Sequence, residues 1–233
     1  MNPRPDAVML SFDEPLANDL HTHLEQVLDR PVKRLHGVVG MRRAYRLAAE
    51  LVDADTFLLA DGDFRINTSF TPDTAPLVEG VAMRVWKASN PVTGRAYGYG
   101  GMKLIRRDAL RHLGEAVDVL AALPGTVEFS PHVAGTTRFD QSPYHAWKAA
   151  FREVAMLTRG CEYGTHTHTT REQLRAWHTP AGGEFTDWVQ RGAAAGADFA
   201  RTTPADAPQW QHLNDPRWLR ERFEQTPEQN EAL

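Results

Sequence analysis

Thr56-Phe57-Leu58-Leu59-Ala60-Asp61-Gly62-Asp63 is a short apolar run that stops at two carboxylates separated by a glycine. Five residues bounded by polar ones read as a buried strand, Thr56 to Ala60. The segments before it fall into an alternating order. Ala7 to Phe12 is a first apolar strand. Leu16, Leu20, Leu24, Val27 and Leu28 then recur at helical spacing to about Asp29, where Pro31 ends the helix. Val32 to His36 is a second strand. Met41 to Leu51 places Met41, Tyr45, Ala48 and Ala49 on one face and Arg42, Arg43 and Arg46 on another, which gives a second helix. Strand, helix, strand, helix, strand is the order of an α/β fold with a mostly parallel sheet flanked by helices. Ligands of such sheets sit at the carboxyl ends of the strands, where Asp61-Gly62-Asp63 lies.

Downstream, Val81 to Ala88 reads as a strand and Asn90 to Gly101 as a loop rich in glycine and tyrosine. Met102 to Ile105 is extended, Asp108 to Leu123 helical, and Pro124-Gly125 a break. Thr126 to Phe129 is a further strand, Ala134 to Pro143 is turn-rich, and Tyr144 to Leu157 is a strong helix with Trp147, Phe151, Val154 and Ala155 inward. From His166 onward the chain reads as helical pieces, and its last ten residues are expected to be mobile.

The 233 residues suffice for one large domain that buries its own core, expected over 1–233. The expected division is a nucleotide- and metal-binding half at about 7–105, an acceptor-side half at about 106–202 and a C-terminal extension at 203–233. A hydrophobic content of 42% excludes a disordered chain, and no apolar run is long enough for a membrane span. Met1 to Asp6 is polar, so no leader is expected. The single cysteine, Cys161, excludes a disulfide within the chain, and a cytoplasmic location is expected. The net charge of −4 argues against tight nucleic-acid binding by bulk charge, while leaving room for a local basic groove.

Several residue groups carry candidate chemistry. Two carboxylates at a strand end can face one hard cation, with Gly62 permitting the turn; Mg²⁺ and Mn²⁺ prefer such oxygen ligands and keep positions open for phosphates. The alternative is an exposed turn. Ser11, Asp13 and Glu14 follow the first strand, where a carboxylate accepts hydrogen bonds from a base or ribose, or caps the next helix. Lys33 and His36 stand at the second strand, as cations for phosphate or base, or as a solvated face. Gly100 and Gly101 permit close approach of backbone to a ligand. Trp86, Tyr97 and Tyr99 offer flat faces, with Asn90 and Lys103 beside them. Asp140 is a candidate general base or a helix cap, and Arg138 a candidate partner for an anion. His166-Thr167-His168 can supply one imidazole as a third metal ligand, or form a polar patch.

Taken together, SFDEPLAN (Ser11 to Asn18), VKRLHGVVG (Val32 to Gly40), FLLADGDF (Phe57 to Phe64), WKASNPVTGRAYGYGGMKL (Trp86 to Leu104) and TTRFDQSPYHAWKAAFRE (Thr136 to Glu153) resemble a family of small GT-A-like phage glycosyltransferases. These are the TET-associated glycosyltransferases, which accompany oxygenases that hydroxylate DNA pyrimidines. The resemblance implies a GT-A-like, Rossmann-type fold, a UDP-sugar donor, a divalent metal (Mn²⁺ or Mg²⁺) and a hydroxyl acceptor, the hydroxymethyl group of 5-hydroxymethylcytosine in DNA. Residue by residue it implies that Asp61 and Asp63 are the Asp-x-Asp pair, that Asp13 lies near the nucleotide and that Lys33 and His36 form the basic strand end; the reading of the residues themselves adds Ser11, Glu14, Asp61, Gly100 and Gly101 as expected donor contacts. From the residues alone, acceptor contacts are expected from Trp86, Asn90, Tyr97, Tyr99, Lys103 and Arg138. Asp61 and Asp63 would be metal ligands, with His166 or His168, of which His168 is chosen, as the family's C-terminal histidine; the residue reading adds Asp140, with Asp63, as expected to take part in catalysis.

Three other readings compete. The acceptor can be a small molecule, protein or glycan instead; a basic stripe over Arg42, Arg43, Arg46, Lys103, Arg106 and Arg107 would favour DNA. A nucleotidyltransferase shares the alternation and the metal, but Ser11-Phe12-Asp13-Glu14-Pro15 stands where its Gly-rich phosphate loop is expected. A non-catalytic binding module has no use for a paired-carboxylate metal site.

Overall fold

A computed structural model describes residues 5–160 and 167–226. In chain order the elements are β1 (Ala7–Ser11), α1 (Ala17–Leu28), β2 (Lys33–His36), α2 (Met41–Glu50), β3 (Thr56–Asp61), β4 (Phe64–Ile66) and β5 (Val81–Asn90). They continue with β6 (Arg95–Arg106), α3 (Arg107–Arg111), β7 (Thr126–Thr137), α4 (Pro143–Arg159), α5 (Thr167–His178), α6 (Thr186–Thr202) and α7 (Pro216–Glu224). A 3-10 turn at Pro208–Asn214 precedes α7.

The seven strands form one sheet in the order β2-β1-β3-β6-β5-β7-β4. β1, β2, β3, β5 and β7 run in one direction, and β4 and β6 run against them. This is the mostly parallel α/β sheet that the alternation predicts. Strands of such a sheet are covered on both faces, which is why Ala7 to Leu10 and Phe57 to Ala60 are continuously apolar rather than alternating. Leu20, Leu24 and Leu28 of α1 cover Met9 and Leu58 on one face. On the other, Tyr45, Ala48 and Ala49 of α2 cover Val8 and Leu59.

The helical C-terminal part is organised by α4. Ser142 accepts a hydrogen bond from the His145 N–H, Pro143 fills the first turn, and Gly160 in the left-handed region (φ 72°) closes the helix. α6 lies against α4 through Gly192 and Gly196. A β-carbon there would come within 2.4 Å of the Trp147 carbonyl oxygen and 2.3 Å of the Phe151 carbonyl oxygen. Trp147, Phe151, Phe199, Trp210 and Leu219 form an aromatic core that joins α4, α6, the 3-10 turn and α7.

Three spans differ from the sequence expectation. The expected loop at Asn90 to Gly101 is largely the β5–β6 hairpin, paired from Asn90 and Arg95 inward. Its glycines make room for aromatic rings: a β-carbon at Gly98 would lie 2.3 Å from the Phe129 ring, and one at Gly101 would lie 2.3 Å from the Phe64 ring. The expected helix Asp108 to Leu123 ends at Arg111. Asp118 accepts the Leu120 N–H, and Gly114 donates to the Ala122 carbonyl. Local side-chain acceptors of this kind compete with helix, and the apolar positions Leu113, Val119, Ala122 and Leu123 still reach the core. β7 runs to Thr137, past the expected end at Phe129, and β4 pairs with its far end. Among the described residues no helix is long and apolar enough to cross a membrane.

Candidate active site

The carboxyl ends of β1, β2 and β3 lie side by side, with Leu10 opposite Asp61 and Ser11 opposite His36. Asp61-Gly62-Asp63 turns the chain from β3 into β4 at this edge. Gly62 is pressed against the end of β1. A β-carbon there would lie 2.7 Å from Glu14 Oε2, 2.8 Å from Ser11 Cβ and 2.9 Å from the Leu10 carbonyl oxygen. We expect Gly62→Ala to cost about 1–3 kcal/mol through this overpacking, read as a lowered midpoint in chemical denaturation; an unchanged midpoint would show that the turn relaxes freely.

The two carboxylates of the turn have different surroundings. Asp61 Oδ1 accepts from Lys103 Nζ at 2.6 Å, and the lysine is 2% exposed while the aspartate keeps 33% of its side-chain surface in solvent. Asp61 thus has protein around it yet keeps contact with solvent. Burial alone would lower the Lys103 ammonium, but Asp61 and Tyr45 beside it hold it above its usual range, so the ammonium stays charged. Burial and Glu14 press Asp61 toward the neutral acid, and Lys103 opposes them. Among the described residues no cation pairs with Asp63 in this way: burial first, then Asp61 and Glu14, push its carboxyl up to about 7. Asp61 and Asp63, both pushed toward the neutral acid with Glu14 close by, form an environment that a cation relieves. Among the described residues no group of three or more His, Cys, Asp or Glu side chains surrounds a single metal position. The fit is therefore to a two-carboxylate site, Asp61 and Asp63, with the remaining positions left to ligand oxygens and water.

Beside the turn lies an open cleft of about 430 Å³, lined by Phe12, Asp13, Glu14, Asn18, Arg34 and His36 among others. Ser11 Oγ meets His36 Nδ1 at 3.0 Å and accepts from Arg34 Nε at 2.9 Å, and Arg34 Nη1 donates to Asn18 Oδ1 at 2.6 Å. Arg34 is thereby fixed as a donor group on the wall. A smaller depression of about 340 Å³, between Gly80, Arg106, His112 and Pro124, lies at the opposite end of the sheet, away from the carboxylates.

Asp13 is held by the C-terminal helices. Lys148 Nζ lies 3.0 Å from Asp13 Oδ1, His145 Nε2 lies 3.3 Å from the same oxygen, and Arg220 Nη2 lies 3.7 Å from Oδ2. The His145 contact lacks hydrogen-bond alignment and acts as an electrostatic one. Burial opposes ionisation of Asp13, but His145 and Lys148 outweigh it and hold the carboxyl well below the usual carboxylate range.

Ser11, Asp13, Glu14, His36, Asp61 and Asp63 thus gather at one edge of the sheet, and several other expected site residues do not. Lys33 bonds Asp6 and the Leu51 carbonyl at the amino end of β2, which removes it from the cleft. Period 2 along the strand pairs Arg34, not Lys33, with His36; that signal was present in the sequence and identifies the residue the motif reading passed over. Gly101 is explained by the Phe64 ring rather than by a ligand. Trp86 is 1% exposed in the core and presents no face to an acceptor. Asn90 accepts the Val92 and Thr93 N–H groups and donates to Tyr97 Oη, fixing the β5–β6 turn. Tyr97 Oη in turn donates to Glu153. Lys103 belongs to Asp61, so it is not an acceptor contact.

Arg138 donates its backbone N–H to the Asp63 carbonyl at 2.6 Å, which brings the Arg138–Asp140 segment to the turn. Asp140 Oδ1 accepts from Gln141, and its Oδ2 faces Gly183. The side chains of Tyr99 and His168, like His166 and Cys161 altogether, lie outside the described residues, and Gly100 is followed only as part of β6. The expected basic stripe is largely consumed. Arg42 pairs with Glu115, Arg46 bonds the Leu113 carbonyl, Arg106 bonds the Leu77, Val78 and Val81 carbonyls, and Arg107 bonds the Val52 carbonyl.

No protein-family profile and no curated protein sequence matches the chain. Among solved structures it is similar to the mannosyltransferase PcManGT from Pyrobaculum calidifontis in complex with GDP-Man and Mn²⁺, at TM-score 0.45 and 12% identity over 94% of this chain and 86% of that one. It is also similar to HddC from Yersinia pseudotuberculosis complexed with GMP-PN, at TM-score 0.36 and 10% identity over 57% of this chain and 91% of that one. A third similar structure is the catalytic domain of Drosophila β1,4-galactosyltransferase 7 complexed with xylobiose, at TM-score 0.39 and 13% identity over 60% and 73%. At such identities and TM-scores, activity has to be argued from the side chains themselves.

Proposed function

We propose that this chain is a metal-dependent glycosyltransferase, moving a sugar from a nucleoside-diphosphate donor to a hydroxyl group. The observation that carries the reading is the Asp61-Gly62-Asp63 turn, clamped against the end of β1 at the side of a nucleotide-sized cleft. In this reading the nucleoside occupies the cleft, with Arg34 and His36 as donors to base or ribose and Glu14 on its floor. Asp61 and Asp63 hold the divalent cation, which when bound offsets the negative charge of the departing diphosphate. Lys103 holds Asp61 in place and favours its carboxylate form against the effects of burial and Glu14. Asp140 is the proposed general base: its carboxylate takes the proton of the acceptor hydroxyl as the new C–O bond forms and the bond from the sugar to the diphosphate breaks.

The resemblance noted in the sequence favours a uridine diphosphate sugar and 5-hydroxymethylcytosine in DNA. A second reading keeps the donor and takes a small molecule or glycan as acceptor. It is favoured by the basic stripe, most of whose arginines are engaged within the protein. The test is to incubate the protein with Mn²⁺, a panel of uridine diphosphate sugars, and duplex DNA containing cytosine or 5-hydroxymethylcytosine, with EDTA controls and nucleoside mass spectrometry. A hexose-sized gain on the hydroxymethyl base alone supports the DNA acceptor. Metal-dependent donor hydrolysis without that gain supports the second reading. Neither hydrolysis nor gain from a folded protein removes the glycosyltransferase reading for these donors.

Arg34 gives a separate handle on the donor. Loss of one charge-assisted hydrogen bond is worth about 1.5–3 kcal/mol, so Arg34→Met should raise the donor KM by at least about ten-fold and leave kcat within a few-fold. An unchanged donor KM would remove Arg34 from the cleft's function.

A further inference from the structure

We infer that Lys148 of α4 and Arg220 of α7 bind the diphosphate of the donor, so that the C-terminal helices complete a site whose other half is the strand ends. This inference rests on the glycosyltransferase reading above. Asp13 lines the cleft and faces two permanent cations, Lys148 at 3.0 Å and Arg220 at 3.7 Å, with His145 as a third, titratable neighbour. One carboxylate cannot neutralise two cations, and both stand directly behind Asp13 of the cleft lining. Both cations keep access to solvent, with side chains 20% and 45% exposed.

They are also held in place without using up their donors. The Arg220 guanidinium stacks on the Tyr144 ring, 3.3 Å from its centroid, and Lys148 Nζ lies 5.2 Å from the same centroid. Stacking engages the face of a guanidinium and leaves its in-plane N–H groups for an anion. A nucleoside diphosphate in the cleft would lie beside Asp13, and through Asp13 within reach of these two cations. Asp13 is then less a ribose ligand than the residue that keeps both cations aimed while no phosphate is bound.

The test is calorimetric titration of the full chain, in Mn²⁺, with uridine diphosphate, uridine monophosphate and uridine, repeated with the guanosine series. Wild type should prefer the diphosphate to the monophosphate. Lys148→Met and Arg220→Met should each weaken the diphosphate by about ten-fold, change the nucleoside little, and shrink the preference for diphosphate over monophosphate. Lys148→Arg should restore most of the affinity. Circular dichroism melts check folding, and if Lys148→Met does not fold, the more exposed Arg220→Met decides. Folded variants that bind the diphosphate as wild type does would overturn the inference while leaving the glycosyltransferase reading standing. Wild type that binds none of the nucleotides would sink that reading, and the inference with it.

Discussion

Asp63→Asn is expected to lower the proposed sugar transfer by about a thousand-fold or more, and to leave the fold as stable as before or more so. The loss follows from taking one of two charged ligands from a two-carboxylate site, where charge stabilisation of the leaving group is worth several kcal/mol. The stability gain follows from the surroundings of Asp63. Burial, Asp61 and Glu14 raise its carboxyl to about 7, against an unfolded value of about 4. Between about pH 4 and about pH 7 the folded chain therefore holds a proton that the unfolded chain has released, and by linkage stability falls as pH rises through that window. Asparagine has no charge to form there, so the variant should lack this decline. Denaturant melts in EDTA at pH 4.5 and pH 7.5 read the stability difference, and initial rates in Mn²⁺ read the activity. Wild-type turnover by the variant would end the metal role of Asp63. A steeper pH decline in the variant would refute the electrostatic account.

Lys103→Met should be the most damaging single change to stability at this site. The ammonium is 2% exposed, 2.6 Å from Asp61 Oδ1 and 5.6 Å from the Tyr45 ring centroid. Its removal leaves the Asp61 carboxylate in a partly desolvated position beside Glu14, with its closest cation gone. Breaking such a pair from one side costs about 3 kcal/mol or more, which in a chain of this length lowers Tm by about 6–12 °C. The double variant Lys103→Met with Asp61→Asn should recover most of that loss, because neither partner is then left charged and alone. A double variant as unstable as Lys103→Met would show that lysine packing, not the ion pair, carries the effect. Added Mn²⁺ should stabilise the lysine variant more than wild type, since the freed carboxylate oxygen becomes available to the cation.

The parallel half of the fold was legible because burial on both faces writes itself into composition. β1 and β3 are unbroken apolar runs, and α1 and α2 carry apolar residues at helical spacing. The antiparallel half was less legible. The hairpin of β5 and β6 contains glycines whose reason is a ring from a distant segment, Phe129 over Gly98 and Phe64 over Gly101. A glycine that makes room for a ring and one that admits a ligand look the same in one dimension. The aromatic and polar residues of this stretch therefore read as an acceptor surface, although Trp86 is core, Asn90 is a turn bracket and Lys103 is an ion-pair partner.

By itself the sequence determined the strand–helix alternation, the edge of the sheet at which the acidic turn stands, and the carboxylates that meet there, Asp13, Glu14, Asp61 and Asp63. It could do so because those residues follow directly on strands whose ends a parallel sheet must align. Only the tertiary structure decided which cations answer them. Lys103 comes from an antiparallel neighbour, Lys148 and His145 from a helix more than a hundred residues away, and Arg220 from the C-terminal helix. Local patterning fixes where a residue points within its own element, while charge pairing across elements depends on how those elements pack, which no spacing along the chain encodes.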